Sequence, residues 1–477
     1  MLTAERCRCQ SISPALRLLH EFSGHGLSPK RQRECRVCRL DAQFGWSKWP
    51  VLNLILDRPQ ETQFARQRMD FLKFLKSNAR WLAGGLTLTI FASFGQTFFI
   101  SLFSDKIRAA FELTDGGFGM IYMIATLASA ATLVQMGKLV DRLSVATVSA
   151  IVLVLLAIAC VGMAWAGSLV GLFLSLFALR LFGQGMLTHT AQTAMGRWYD
   201  VERGRAVSVT SVGHNFGEAI LPALVLIFVA QFGWQEVWLI AAGSLILIAL
   251  PLSCWLMNSK RVPTHGASTE KLLTIRQWTR AEVLRDPYFY GLLVGILAPA
   301  LIVTSFYFHH KNLLELKGWP EEIYAAAFFL LSISTVVSKL VAGALIDRFT
   351  AAYMLPLFLL PLAAACFVLG WGQASSSIYL AVVFIGLAMG FANSILGAIW
   401  PEIYGVTHLG TIRAVAVAAL VFSSALGPGL TGWLIDCQIG FDRQLIGMGF
   451  YCVVVTVLMV WLAKRLGDRC LVAGASR

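Results

Sequence analysis

Apolar runs of about 20 residues, each long enough to cross a ~30 Å hydrocarbon layer as a helix, recur twelve times along this chain. They fall at about 81–104, 117–136, 145–166, 168–196, 206–230, 235–257, 288–308, 323–346, 352–372, 377–400, 412–435 and 444–463. A lone segment in lipid finds no water for its N–H and C=O groups, so it must close its hydrogen bonds internally as a helix. The alternation of a barrel strand is absent from these runs. The composition agrees: 57% of the 477 residues are hydrophobic, 14% are charged and the mean hydropathy is +0.69, too apolar for a water-soluble core and surface. The expected fold class is an all-α membrane protein with twelve transmembrane helices.

The net charge of +13 raises the question of nucleic acid. Its distribution points elsewhere. With the N-terminus assigned to the cytoplasm, 15 Lys/Arg lie in the first 80 residues, 17 in later cytoplasmic loops and the tail, 5 in outside loops and 2 within helices. That asymmetry orients the chain in the cell membrane with both termini cytoplasmic. Basic residues scattered over short loops form no single face for nucleic acid.

Residues 1–79 read as a basic, largely disordered tail without helix-length apolar runs. The tail lacks the compact apolar core of a secretory signal. Met69 is the only methionine between Met1 and the first run, so the natural start is expected at Met69, with 1–68 an upstream extension. Cys7, Cys9, Cys35 and Cys38 form two close pairs that can formally bind zinc, although no structured surroundings support a metal site. Cys160, Cys254, Cys366 and Cys452 fall in helices and read as small buried hydrophobes. A polar loop at 258–287 with six Lys/Arg divides the runs into six and six, giving bundles at 80–257 and 288–465 and a short tail at 466–477. Part of the loop has helical spacing suited to the membrane surface or to a solvated linker.

The two halves share landmarks. "GKLVDR" (Gly137 to Arg142) closes the second helix, and "GALIDR" (Gly343 to Arg348) closes the eighth. "RAVSV" from Arg205 opens the fifth, and "RAVAV" from Arg413 opens the eleventh, following Trp198 and Trp400 at the preceding helix ends. A duplicated six-helix unit, two pseudo-symmetric bundles, is an architecture that exposes a central site alternately to either side.

From about residue 80 to 465 the chain resembles the major facilitator superfamily, and the repeated loop is that superfamily's most specific short motif. "DRLSVAT" and "DRFTAAY" depart from its usual continuation with Gly and basic residues. Gly137 and Gly343 remove side chains where helices can approach closely. Asp141 and Asp347 sit at the membrane edge, able to accept from a helix start or to pair with Arg142 or Arg348. By resemblance these contacts lock the halves together on the cytoplasmic side when the site faces outward. Taken alone, each loop also reads as a topology-setting basic turn.

Ionisable residues deep in a span are expensive and so are functional leads. Arg180 lies about 25 Å, and Glu218 about 20 Å, from the cytoplasmic ends of their helices, so the two are expected at similar depth and within pairing reach. Such a pair serves either proton coupling or structural glue. The superfamily often carries an arginine before GxG in span four, and "LRLFGQG" is similar; Glu218 stands in part of the region that antiporters of the superfamily fill with Gly-Pro. Lys339 sits one turn deeper than Gly343 on nearly the same face. It can snorkel to water. Monocarboxylate and oxalate/formate porters place a basic residue on span eight, which by resemblance makes Lys339 a carboxylate-binding candidate without arginine's bidentate grip. Gln96, Gln184, His189, His214, Asn215 and Asn393 are further polar candidates, for a substrate or for ties between helices, while His309 and His310 read as interfacial.

The sequence carries no nucleotide-binding loop, metal-helix motif or nucleophile elbow. The expected function is secondary active transport of a small organic anion, monocarboxylate-like, with protons. No enzyme activity, cofactor or metal is expected, and the transporter is expected to work as a monomer in the lipid bilayer. Efflux of lipophilic or drug-like compounds is the alternative within transport, and a transporter-like receptor or scaffold the alternative outside it.

Overall fold

The structure is a computed structural model that describes residues 61–136, 139–199, 203–258, 276–405 and 407–475. It falls into two units, Met1–Lys73 and Phe74–Arg477. In the first, the described residues from Glu61 onward are helical and belong to the helix Glu61–Phe91. The four tail cysteines, Gly137 and most of the loop between the bundles lie outside the described residues, as do the side chains of Asp141, Arg142, Asp347 and Arg348.

Twelve described helices are long and apolar enough to cross a membrane: α1 Lys73–Ser101, α2 Asp115–Met136, α3 Val145–Ala164, α4 Leu169–Trp198, α5 Gly204–Phe232, α6 Trp234–Met257, α7 Pro287–Lys317, α8 Glu322–Ile346, α9 Ala351–Trp371, α10 Ser377–Tyr404, α11 Leu409–Asp436 and α12 Phe441–Leu466. Their ends carry the expected local chemistry. Ser144 and Ser168 accept from the backbone N–H three residues on and start α3 and α4, each cap worth about 1 kcal/mol. Asp286 caps α7, with Pro287 at the first helical position where a missing N–H costs nothing. Gly233, at φ +100°, turns α5 directly into α6. Bands of apolar side chains such as Ile158, Leu247 and Val454 stay exposed on the outside of the bundle, as a lipid-facing surface requires.

The repeat seen in the sequence returns as a contact. Thr89 of α1 donates to the Thr210 carbonyl of α5 at 2.6 Å, and Thr304 of α7 donates to the Ser424 carbonyl of α11 at 3.0 Å. Between the halves, α2 packs on α11, α5 on α8 and α7 on α1. The α2–α11 crossing is built from backbone: a Cβ on Gly119 would stand 2.5 Å from the Pro428 carbonyl oxygen, and one on Gly432 2.5 Å from that of Asp115. Only glycine allows helices that close. This contact lies at the end of the bundle opposite the 258–287 loop. Near the loop end, in contrast, Gly343 has open space where a Cβ would stand, so the close approach expected at that glycine is not made here.

Two helices lose their regular turn at the same depth. α1 tightens into a 3₁₀ turn at Ala92–Gly95, becomes extended at Gln96 and restarts at Thr97, while α4 widens into a π turn over Leu179–Leu187. Gly95 and Gly183 meet there, and a Cβ on either would fall under 2.8 Å from the other's Cα. Irregular backbone inside a membrane bundle marks a place where carbonyls are free to accept from side chains.

Candidate substrate and coupling site

Arg180 is carried by the π turn of α4 and is 2% exposed. One guanidinium nitrogen donates to the Gly95 carbonyl at 3.3 Å, freed by the break in α1, and to the Thr97 hydroxyl at 3.2 Å. The group lies over the Tyr122 ring, 5.2 Å from its centroid, and the Tyr122 hydroxyl completes the cluster by donating to Thr97 at 2.8 Å. Nε is buried without a partner. Among the described residues no carboxylate forms an ion pair with Arg180, which corrects the expected Arg180–Glu218 pair. The reason is the break at Gly95: a backbone carbonyl, invisible in the sequence as a partner, takes the cation first.

Glu218 looks the other way, across the interface between the halves. Tyr307 of α7 donates its hydroxyl to the Glu218 carboxylate at 2.5 Å. Three residues earlier on α5, Asn215 accepts from the Lys339 ammonium of α8 at 2.9 Å. Lys339 and Glu218 attract one another without forming an ion pair. His214 contacts Thr188 of α4 at 3.4 Å and shares the field of Lys339. Behind these groups stands an aromatic wall. Tyr307 stacks on Phe328, Phe328 meets Phe98 of α1 and Tyr324, and Tyr324 stacks on His310 at 3.7 Å.

The remaining candidates are placed as follows. Gln96 is half-buried at the break in α1, where its own side chain makes no hydrogen bond among the described residues. His189 on α4 and Asn393 on α10 are exposed. The structure therefore brings Glu218, Lys339, Asn215 and His214 into one neighbourhood and sets Arg180 in a separate cluster on α1, α2 and α4.

A third set of polar residues, of which the sequence singled out only His309 and His310, closes the end opposite the loop. Lys311 of α7 donates to Asp105 at 2.6 Å and lies 3.5 Å from Glu321. Burial alone would push the Asp105 carboxyl up, but the Lys311 ammonium hydrogen-bonded to it holds it below the usual carboxylate range. Asp115, at the start of α2, pairs with Arg108 at 2.6 Å and contacts His309 at 3.4 Å. Asp436, at the end of α11, accepts from the Thr114 hydroxyl and the Gly116 N–H. His309 and His310 are 1% and 4% exposed, so the reading of both as interfacial is corrected. The run "FYFHHK" at the end of span seven was the available signal: three polar tips in a row at a membrane edge, with acids in the preceding outer loop.

Two six-helix halves joined about a mid-depth polar site, and packed backbone to backbone at one end, are the architecture of a membrane transporter. The chain matches the family model described as Major Facilitator Superfamily over residues 85–333 and 311–469, and it belongs to that family. It is 29% identical over 160 residues to the probable sulfoacetate transporter SauU of Cupriavidus necator, covering 33% of this chain and 37% of that protein. It is 26% identical over 206 residues to the glycerol-3-phosphate transporter of Bacillus subtilis, covering 40% and 46%. These two matches therefore span less than half the length of either relative. The match to the uncharacterized transporter YybO of Bacillus subtilis is longer, at 22% identity over 82% of this chain and 95% of that one. Among solved structures, a bacterial homologue of the human lysosomal transporter Spinster, inward-facing and unoccupied, superposes with a TM-score of 0.63 at 16% identity over 82% of this chain and 98% of the other. The D-xylose-proton symporter gives 0.62 at 16% over 80% and 96%. These likenesses establish the fold.

Proposed function

We propose that this transporter carries a small organic anion, with a carboxylate, sulfonate or phosphate group, attracted by a net positive charge in its interior, and that Glu218 couples the movement to protons. The observation that carries the reading is the charge balance at mid-depth. Two cations, Arg180 and Lys339, rest on neutral oxygens, and Glu218, the acid near Lys339, is engaged by a tyrosine. An uncompensated cation within a membrane is costly, and an anion entering beside Lys339 removes that cost. The names of two relatives support the same class, since sulfoacetate and glycerol 3-phosphate are both small organic anions. In this reading Lys339 exchanges the Asn215 amide oxygen for the substrate's anionic group.

Glu218 suits coupling because its bond to Tyr307 crosses the two halves. Protonation weakens the charge-assisted bond and leaves Lys339 without its nearby negative charge, so proton and anion occupancy reinforce each other. With the termini cytoplasmic, the closed end faces outside. The test is uptake of labelled anions into proteoliposomes with and without an inward proton gradient, in the wild type and in Glu218→Gln. Stimulation by the gradient in the wild type alone supports the reading. Equal uptake by both proteins removes Glu218 from coupling, and uptake restricted to neutral lipophilic compounds overturns the anion assignment.

A further inference from the structure

Tyr324 stands near the start of α8 and is 2% exposed, and its hydroxyl is buried without a hydrogen-bond partner. Other hydroxyls of the same helix satisfy themselves: Ser334 and Thr335 both donate back to the Leu331 carbonyl. A tyrosine cannot do this, because its ring carries the hydroxyl away from its own backbone. The ring is not free to swing out to water either. It stacks on His310 at 3.7 Å, meets Phe328 edge-on at 4.8 Å and tilts against Phe306 at 5.9 Å. A buried donor left unmade is costly, so an acceptor is due in some state of the molecule.

Glu218 is the acceptor at hand. Glu218 on α5, Tyr307 on α7 and Tyr324 on α8 interact electrostatically with one another, so the three groups share one neighbourhood. Tyr307 donates to Oε1 of the carboxylate, while Oε2 accepts no hydrogen bond among the described residues. A carboxylate takes several donors, and here two phenols are offered and one is used. Both phenols belong to the second half and are held in place by one ring, Phe328, which stacks on Tyr307 and packs edge-on against Tyr324. Glu218 belongs to the first half. A shift of one half against the other therefore carries the carboxylate past a fixed pair of hydroxyls.

We infer that Tyr324 is the alternate donor to Glu218, a positioning residue that takes the carboxylate over from Tyr307 when the end opposite the loop opens. With that end closed, Glu218 is on Tyr307 and Tyr324 is bare; with it open, the bond is on Tyr324. The hand-over keeps a buried acid hydrogen-bonded in both states. It also sets their balance, since each phenol favours the state in which it is bonded. The inference rests on Glu218 being a working group of the transport cycle, as proposed above, and not on the identity of the cargo or on protons.

The test is the distance distribution between spin labels on Cys437 and on Gln235→Cys, both exposed at that end of opposite halves, in the full-length protein in nanodiscs at one pH with the remaining cysteines replaced. Tyr307→Phe and Tyr324→Phe each keep the ring and remove one hydroxyl. They are expected to move the closed-to-open ratio in opposite directions, Tyr307→Phe toward open and Tyr324→Phe toward closed, each by about tenfold, the worth of a hydrogen bond to a charged group. Where the wild type is too fully closed to show a further shift, Tyr324→Phe added to Tyr307→Phe should return the ratio toward the wild type. Both shifts should vanish in Glu218→Leu, which has no oxygen to accept. The Tm of Tyr324→Phe should not fall, because the closed state loses no bond. A Tyr324→Phe ratio that is unmoved or moves toward open overturns the inference, as does a shift that survives in Glu218→Leu or a lowered Tm. Any of these results leaves the cargo and proton assignments to the uptake measurement, which does not read this ratio.

Discussion

Lys339 and Asn215 meet across the two halves of the transporter, the ammonium of α8 donating to the amide oxygen of α5 at 2.9 Å. A cation inside a membrane ordinarily ends on an acid or at the water interface. This one ends on a neutral side chain one turn from Glu218, which leaves its charge available to a ligand while keeping the ammonium hydrogen-bonded. In the proposed function Asn215 holds the place of a substrate oxygen.

The first prediction concerns the chemistry of that cation. Lys339→Arg should keep anion binding, because the charge remains, with an affinity change of under about tenfold, whereas Lys339→Gln should weaken it by roughly 1.5–3 kcal/mol, the worth of a charge-assisted hydrogen bond. Titration calorimetry with a bound anion measures both.

Tyr307→Phe keeps the ring that stacks on Phe328 and removes only the hydroxyl that reaches Glu218. The expected outcome is a protein of near-wild-type fold whose proton-driven uptake shifts along the pH axis, since Glu218 loses the bond that favours its charged form. A pH–rate profile identical to the wild type would remove Tyr307 from the site.

Arg180 has a structural debt to α1 as well as a charge. Arg180→Lys retains the charge but not the reach and planar shape that bring one guanidinium nitrogen to both Gly95 and Thr97, so it should lower stability by about 1.5–3 kcal/mol and move the apparent Tm down by several degrees. Thermal unfolding in detergent measures it. An unchanged Tm would show that the broken segment of α1 does not need this anchor.

At the closed end, Gly119→Ala places a Cβ where the Pro428 carbonyl oxygen already stands at 2.5 Å. Backbone on one side and a helix on the other cannot yield as a flexible side chain would, so α2 and α11 must part. Labels across that end should report a shift toward the open state.

The ion pair of Asp105 and Lys311 gives the acid limit of the same gate. Because the carboxyl is held below its ordinary value when paired, its contribution is fully present above the usual carboxylate range and is lost as pH falls through the lowered value. The two side chains are 19% and 21% exposed, so the pair is worth about 1 kcal/mol at most. Closure at that end should therefore be unaffected by this pair between pH 8 and pH 5 and should weaken only in stronger acid. Asp105→Asn should abolish that late loss.

The helices were legible because a span must announce itself: about 20 apolar residues in a row have few other fates. The duplicated "GxLxDR" and "RAV" landmarks also gave the two-fold arrangement, since equal local sequence at equal places in each half implies equal structure. The positions of Arg180, Glu218 and Lys339 were legible for the opposite reason, as charges where charges are costly. Their partners were not. Arg180 found a backbone carbonyl released by a break at Gly95, and every residue has a carbonyl, so no letter marks the one that will be free. His309 was read as interfacial because its neighbours Asp115 and Pro428 arrive from helices far along the chain, and no spacing within α7 encodes them. The side chains of the Asp141–Arg142 and Asp347–Arg348 motifs lie outside the described residues, and their locking role stays a proposal.

The central claim is that an anion completes the charge of the interior at Lys339. Thermal stabilisation of the purified protein by a panel comprising sulfoacetate, glycerol 3-phosphate, small monocarboxylates, amines, neutral sugars and lipophilic drugs tests it directly, because a ligand that binds the folded state raises its apparent stability by mass action. The account predicts that members of the anion set alone raise the Tm of the wild type and that Lys339→Gln loses the effect. Stabilisation by amines or neutral compounds, equal in the two proteins, would contradict it.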